Sequence, residues 1–309
     1  MSFSLTTASS IVDVISQLHA YAVAHAGFSD AGDVTVSGSR TMKRLQKGSV
    51  YWHFVPRSTG NGIVAFMALA AKTTDVVSTT GNGQPYDTRM SAYAFPGPYP
   101  SLYLYSEGTC VYAAVELTNG IFNHIAFGNI AKVDTFTGGE FLTAGCYEST
   151  FVQSGQTYFY DVTSGNQKAV FNGQLNNGAG NGAGFVRAAP ASGALGDYRD
   201  FAGLGFLLNN QRAGMSGPNS MVDRLYRDSP NAATLRTPLF PMYVTILDPA
   251  PGLYRIAGEL PGVRGCPNKY IDPAEVILTD WQCFPLTQKN ATGIVCAPCG
   301  NYGVAYKRA

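Results

Sequence analysis

The sequence predicts a mainly β protein, built of antiparallel sheets in a sandwich or barrel-like arrangement, with one N-terminal α-helix and long loops. Three observations carry this prediction. Only one segment, near the start, has convincing helical periodicity. From residue 28 onward, short β-branched and aromatic runs alternate with Gly, Asn and Pro. Asn119-Gly120 lies between two such runs, the strongest local hairpin signal because both turn residues tolerate positive φ.

The helix is expected from Ser10 to Ala26. Its apolar residues Ile11, Val14, Ile15, Leu18 and Ala22 follow the i, i+3, i+4, i+7 rule of one helix face. Ser10 and Asp13 resemble a capping box with Asp in place of Glu, and Gly27 is a natural stop. The pattern ends too soon for a coiled coil, so this face should pack on a sheet.

Strands follow in order. Ser49–Val55 ends at Pro56, and Ser101–Tyr105 leads through Glu107-Gly108 into Cys110–Leu117. That run should pair antiparallel with Ile121–Phe127 across the Asn-Gly turn. Tyr158–Val162, Leu239–Leu247 and Leu253–Ala257 continue the series. The chain reads as a single β-rich unit over 1–309, with a loop-rich insertion at 171–236 and a cysteine-containing segment at 259–309. Within the insertion, FNGQLNNGAGNGAGF (Phe171–Phe185) is too rich in Gly and Asn for a regular element, and long loops of this kind usually make functional contacts.

Charge narrows the function. Twenty-one Lys and Arg stand against 20 Asp and Glu, with no basic run for a nucleic-acid groove. Charged residues make up 13 % of the chain, about half the roughly 25 % usual for soluble domains. With 18 Tyr and 17 Phe, such a surface suits burial by neighbouring subunits, since interface cores lose charge and gain aromatics. The first residues contain no Lys or Arg before Arg40 and lack the continuous apolar core of a secretory signal. The longest apolar stretch, Ile63 to Ala71, is too short to span a bilayer. The sequence therefore predicts a chain kept in the cytosol until assembly or release, with no membrane span and no nucleic-acid partner.

Catalytic patterns are sparse, and no enzyme activity or cofactor is expected. GxSxG, GxxxxGK[ST] and HExxH are absent. His19 and His25, six apart on the helix, do not share a face. Gly60-Asn-Gly-Ile-Val-Ala65 fits GxGxxA, but no βαβ alternation surrounds it and Asp75 is too close to be the ribose acid. A turn between antiparallel strands explains it better. Asn290-Ala-Thr292 is a glycosylation sequon of no consequence without a secretory signal. Cys110 and Cys146 stand alone. Cys266, Cys283, Cys296 and Cys299 are spaced C-x16-C-x12-C-x2-C, which leaves zinc, disulfides and free thiols open.

The densest segment runs from His124 to Phe141, HIAFGNIAKVDTFTGGEF. With Glu259-Leu-Pro-Gly-Val-Arg264, Trp281, Phe284-Pro285 and the ending Gly300-Asn-Tyr-Gly-Val-Ala-Tyr-Lys307, it resembles a family of tailed-bacteriophage virion structural proteins. The residues carrying the resemblance are His124, Phe127, Gly128, Lys132, Gly138, Gly139 and Phe141. The cysteines are not among them. The resemblance implies a tail or baseplate component, homo-oligomeric, assembled in the host cytoplasm and located in the virion beside other virion proteins. A neck, collar or capsid-decorating protein shares the same features. A tail-borne hydrolase of envelope sugars would instead need two acids about 5–9.5 Å apart in a cleft.

Read as chemistry, the Phe127-Gly128 and Gly138-Gly139 glycines suit a strand kink or bulge. His124 and Lys132 are expected at a polar hairpin edge, with a satisfied core histidine as the competing reading of His124. Trp281 and Tyr302 are candidate core or interface anchors, core being favoured for Trp281.

Overall fold

The strand Cys110–Thr118 buries six residues in succession, Cys110 to Val115. A strand covered on one side only would alternate buried with exposed positions. This one therefore has protein above and below it, and the architecture follows from that. A computed structural model describes residues 1–58, 61–75, 87–92, 96–133, 135–147, 160–161, 166–167, 184–189, 199–200, 239–248, 253–267, 271–285 and 302–308.

The central sheet has seven strands, in spatial order Ser2–Ala8, Tyr99–Glu107, Cys110–Thr118, Ile121–Asn129, Thr137–Ala144, Gly184–Ala189 and Arg199–Asp200. Each neighbour pair is antiparallel. The expected hairpin forms on Asn119-Gly120, with Gly120 at φ 74°. An N-terminal sheet runs Cys146–Tyr147, Asp87–Ala92, Gly62–Ala68, Val50–Pro56, Arg40–Lys47, Ser29–Asp30, and Val34–Val36 also pairs with Arg40–Lys47. A C-terminal sheet runs Ala131–Lys132, Leu253–Pro267, Tyr302–Lys307, Trp281–Pro285, Val276–Ile277, and Phe240–Asp248 pairs with Leu253–Pro267. Among the described residues no sheet closes on itself, so the sandwich half of the sandwich-or-barrel expectation holds. Pairing is antiparallel throughout these three sheets except between Cys146–Tyr147 and Asp87–Ala92.

Successive residues of the central strands serve opposite layers. Tyr103, Tyr105, Tyr112, Ala114, Phe122 and Phe141 pack with Leu260, Val263, Phe284, Val304 and Tyr306 of the C-terminal sheet. Leu102, Leu104, Val111, Ala113, Ile125, Phe127 and Leu142 pack on the other side with Leu45, Trp52, Phe54, Ile63 and Met67 of the N-terminal sheet and with the helix. Each large side chain so covered contributes about 1.5–3 kcal/mol relative to exposure. Trp52 adds a polar tie, its Nε1–H donating to the Phe141 carbonyl at 3.0 Å across the interface.

The helix spans Ile11–His25 and buries Ile11, Val14, Ile15, Leu18, His19, Tyr21 and Ala22. Ser10 is its N-cap, the hydroxyl accepting from the Asp13 N–H at 3.3 Å, and Gly27 follows its end at φ 66°. The Asp13 carboxylate reaches back to the Ser9 N–H at 2.8 Å, one residue earlier than a capping box requires. No helix among the described residues is long and apolar enough to cross a membrane.

Several strands fall where no element was expected, among them Ser2–Ala8, Arg40–Lys47, Asp87–Ala92, Trp281–Pro285 and Tyr302–Lys307. The insertion at 171–236 also needs correction. Gly184–Ala189 is a strand of the central sheet paired with Thr137–Ala144, because Val186 and Ala188 fill the same interlayer core. Most of the insertion lies outside the described residues. The GxGxxA segment enters the antiparallel strand Gly62–Ala68, although Gly60 itself lies outside the described residues.

Gly128 shows how little room the central layer leaves. Its φ is 136°, and a Cβ there would stand 2.2 Å from the Thr109 carbonyl oxygen and 2.7 Å from Cys110 Cα. Gly120 also has positive φ, yet a Cβ would meet nothing within 4 Å. Urea denaturation should therefore separate the two sites. Gly120→Ala should cost about 1–2 kcal/mol from backbone strain alone, whereas Gly128→Ala should cost more than about 3 kcal/mol or prevent folding. Equal losses would show that the strand spacing around Gly128 is wrong.

Candidate functional site

Segments far apart in the sequence converge between the central and C-terminal sheets. His124 lies in the middle of the Ile121–Asn129 strand, opposite Ala114, on the face that also carries Phe122 and Ala126. Its Nε2 stands 2.9 Å from the carbonyl oxygen of Pro285, and its Nδ1 stands 3.1 Å from the hydroxyl of Tyr306. A carbonyl only accepts, so Nε2 carries the proton and Nδ1 accepts from the Tyr306 hydroxyl. His124 therefore joins the dense His124–Phe141 segment to Phe284-Pro285 and to the final Gly300–Lys307 segment, three of the stretches on which the resemblance rests.

Aromatic rings complete the joint. Phe284 lies 5.3 Å from Phe122 and 4.9 Å from Tyr103 between ring centroids, in edge-on contacts favoured by ring quadrupoles. Tyr306 stacks against Tyr105 and Tyr112 at 5.1 and 5.4 Å. The Tyr105 hydroxyl donates to Gln282 Oε1 at 2.6 Å, and the Gln282 amide donates to the Ala274 carbonyl at 2.8 Å. Tyr112 donates to the Pro261 carbonyl, inside the Glu259–Arg264 segment. Each of these hydroxyls thus reaches from one sheet to the other.

The electrostatics are those of a dry, neutral interior. Burial pushes His124 down to about 4, against the smaller opposing effect of its hydrogen bond to Pro285, so the ring is uncharged at pH 7. Burial raises the Tyr105, Tyr112 and Tyr306 hydroxyls. It also pushes the Cys110 thiol up to about 12, and that thiol donates to the Asn129 carbonyl at 2.9 Å. His124 has no exposed surface, so it has no contact with solutes. The cluster binds two layers to each other.

The other resemblance residues take different places. His124 is not at a polar edge; a mid-strand position facing a second sheet buries it, and the core reading is the one observed. Lys132 is exposed, on Ala131–Lys132 where that short strand pairs with Leu253–Pro267. Phe127 faces the opposite layer, its ring 4.9 Å from Phe54 and 5.4 Å from Phe28. Gly138 and Gly139 have φ 80° and 115°, and the register slips between Gly138 and Glu140, which is the expected bulge. Phe141 lies in the C-terminal interlayer core. Trp281 is half-buried on the outer face of the C-terminal sheet, with the Arg264 guanidinium 5.2 Å from its ring centroid. The Tyr302 side chain lies outside the described residues.

Cys110, Cys266 and Cys283 are buried free thiols. Cys296, Cys299 and the Cys146 side chain lie outside the described residues. Among the described residues no three His, Cys, Asp or Glu side chains are grouped to hold a metal ion. A second buried histidine, His53, was not singled out by the sequence. It stacks on Phe66 at 4.4 Å, its Nε2 accepts from the Lys72 N–H at 3.0 Å, and burial pushes it to about 4. Its place in the Ser49–Val55 run was the only signal available. Comparison with known proteins finds no matching family and no curated relative.

The joint has a pH signature. His124 titrates lower in the fold than the ordinary value near 6.5, so the unfolded chain binds the proton first as pH falls. Stability is then fully present above about pH 6.5 and declines as pH falls toward 4. Between pH 7 and pH 5, His124 should account for about 2 kcal/mol of lost stability. His124→Gln can still donate to Pro285 and accept from Tyr306 but does not titrate. Urea midpoints at the two pH values should show a smaller acid loss in this variant; an unchanged loss would place His124 outside the core.

Proposed function

We propose that the chain is a structural component of a tailed-bacteriophage particle, in the tail or baseplate, acting by self-association and by contact with other virion proteins. The observation that carries this reading is the convergence at His124. Segments that resemble virion proteins, scattered over 184 residues from His124 to Lys307, meet in one interlayer joint. A resemblance made of residues that hold sheets together is a resemblance of building block to building block.

Composition supports the same reading. A chain with 13 % charged residues and 35 aromatic Tyr and Phe has a surface suited to being covered. Leu5, Val12, Leu69, Tyr243, Ile256 and Leu278 stand exposed, and Tyr243 and Ile256 come from paired strands of the C-terminal sheet. These side chains are the contacts that neighbouring subunits would cover.

Mass spectrometry and cryo-EM of purified particles from phage encoding the chain test the proposal. Many copies per particle, in symmetric density at the tail or baseplate, are expected. Density at the neck, collar or capsid surface would reject the tail assignment, and absence from purified particles would reject the virion role altogether.

A further inference from the structure

Asn-Gly occurs twice among the described residues, in contrasting surroundings. Asn61-Gly62 runs into a strand, and Gly62 is buried at its start. Asn119-Gly120 forms the turn of the central hairpin, and Asn119 is exposed. Glycine has no side chain to crowd its own nitrogen, so a preceding Asn amide is open to attack by that nitrogen. The dipeptide alone carries only this general susceptibility. What sets the turn apart is the group bonded to the attacking nitrogen.

The Gly120 N–H donates to Glu116 Oε1 at 3.2 Å, so its partner is a carboxylate able to take the proton. The strand pairing shows how the carboxylate comes to be there. Thr118 pairs with Ile121 and Glu116 with Phe122, which makes Leu117 the extra residue of a bulge. Bulges re-aim neighbouring side chains, and Glu116 here reaches back to the turn. Its distance from the Gly120 nitrogen lies within the reach of about 2.6–3.2 Å that a general base needs. The turn also has room to rearrange, because a Cβ on Gly120 would meet nothing within 4 Å.

We propose that Asn119 is a site of spontaneous deamidation, with Glu116 as the general base on the Gly120 nitrogen. Glu116 takes the Gly120 amide proton as that nitrogen bonds to the Asn119 Cγ. The bond from Cγ to Nδ2 then breaks, and Nδ2 leaves as ammonia with the proton that Glu116 returns. Solvent water opens the resulting succinimide ring to aspartate or isoaspartate, without oxidation or reduction. Either product sets a second carboxylate beside Glu116, and isoaspartate adds a carbon to the main chain of the turn. The strands joined there carry the buried stretches Cys110–Val115 and Phe122–Gly128.

The test incubates the full chain at neutral pH, folded and in urea, and follows Asn119 by peptide mapping that resolves aspartate from isoaspartate. Asn119 should convert faster in the fold than in urea, where Glu116 is no longer held on the nitrogen. Glu116→Gln keeps an oxygen to accept from the Gly120 N–H but is not a base. It should slow conversion in the fold by about 10²-fold, the low end of general-base contributions, and leave the rate in urea unchanged. If that variant does not fold, the folded and urea rates of the unmodified chain decide the question. An Asn119 that converts in urea but not in the fold overturns the proposal. So does a folded Glu116→Gln chain that converts as fast as the unmodified one.

Discussion

The constraint on which the rest depends is that the central sheet is covered on both faces. Over their buried stretches, Cys110–Val115 and Phe122–Gly128, the interior strands have no solvent side on which to place charge. Their backbone groups must therefore be satisfied within the sheet, and their side chains must fit two layers at once. Gly128 is glycine for this reason, because the neighbouring Thr109–Cys110 backbone occupies the place of a Cβ. Several of the polar groups admitted are ties between layers, among them Trp52 to the Phe141 carbonyl on one side and His124 to Pro285 and Tyr306 on the other. A buried polar group costs free energy unless it is bonded, so such ties fix register as well as adding affinity between sheets.

What was legible in the sequence was local. The helix with its Ser10 cap, the Asn119-Gly120 hairpin and the Gly138-Gly139 bulge depend on residues a few places apart, and each appears where its chemistry put it. Arg40–Lys47 escaped detection because Met42 and Leu45 face opposite sides of their sheet, one toward a small outer cluster and one toward the core. Three residues apart, they break the period of two that identifies a strand. Ser2–Ala8 escaped for a related reason, since Leu5 is exposed and the strand lies at the sheet's margin.

The joint itself was legible only as a set of unconnected stretches. Nothing in the spacing of His124, Phe284 and Tyr306 says that they touch; up to 182 residues separate them. The three-layer arrangement brings them together, and it also moves His124 from an expected polar edge into the interior. One signal of double coverage was present, the unbroken apolar run Cys110-Val-Tyr-Ala-Ala-Val115. By itself such a run cannot distinguish a strand buried on both faces from a segment of buried helix.

Amide hydrogen exchange read residue by residue tests the double coverage most directly. If the central layer is enclosed, the amides of Val111–Val115 and Phe122–Phe127 exchange only when the whole molecule unfolds, and their protection equals the global stability measured in denaturant. Exchange of those amides through local opening, as fast as that of Ser2–Ala8 at the sheet's margin, would mean that one covering layer is not in place.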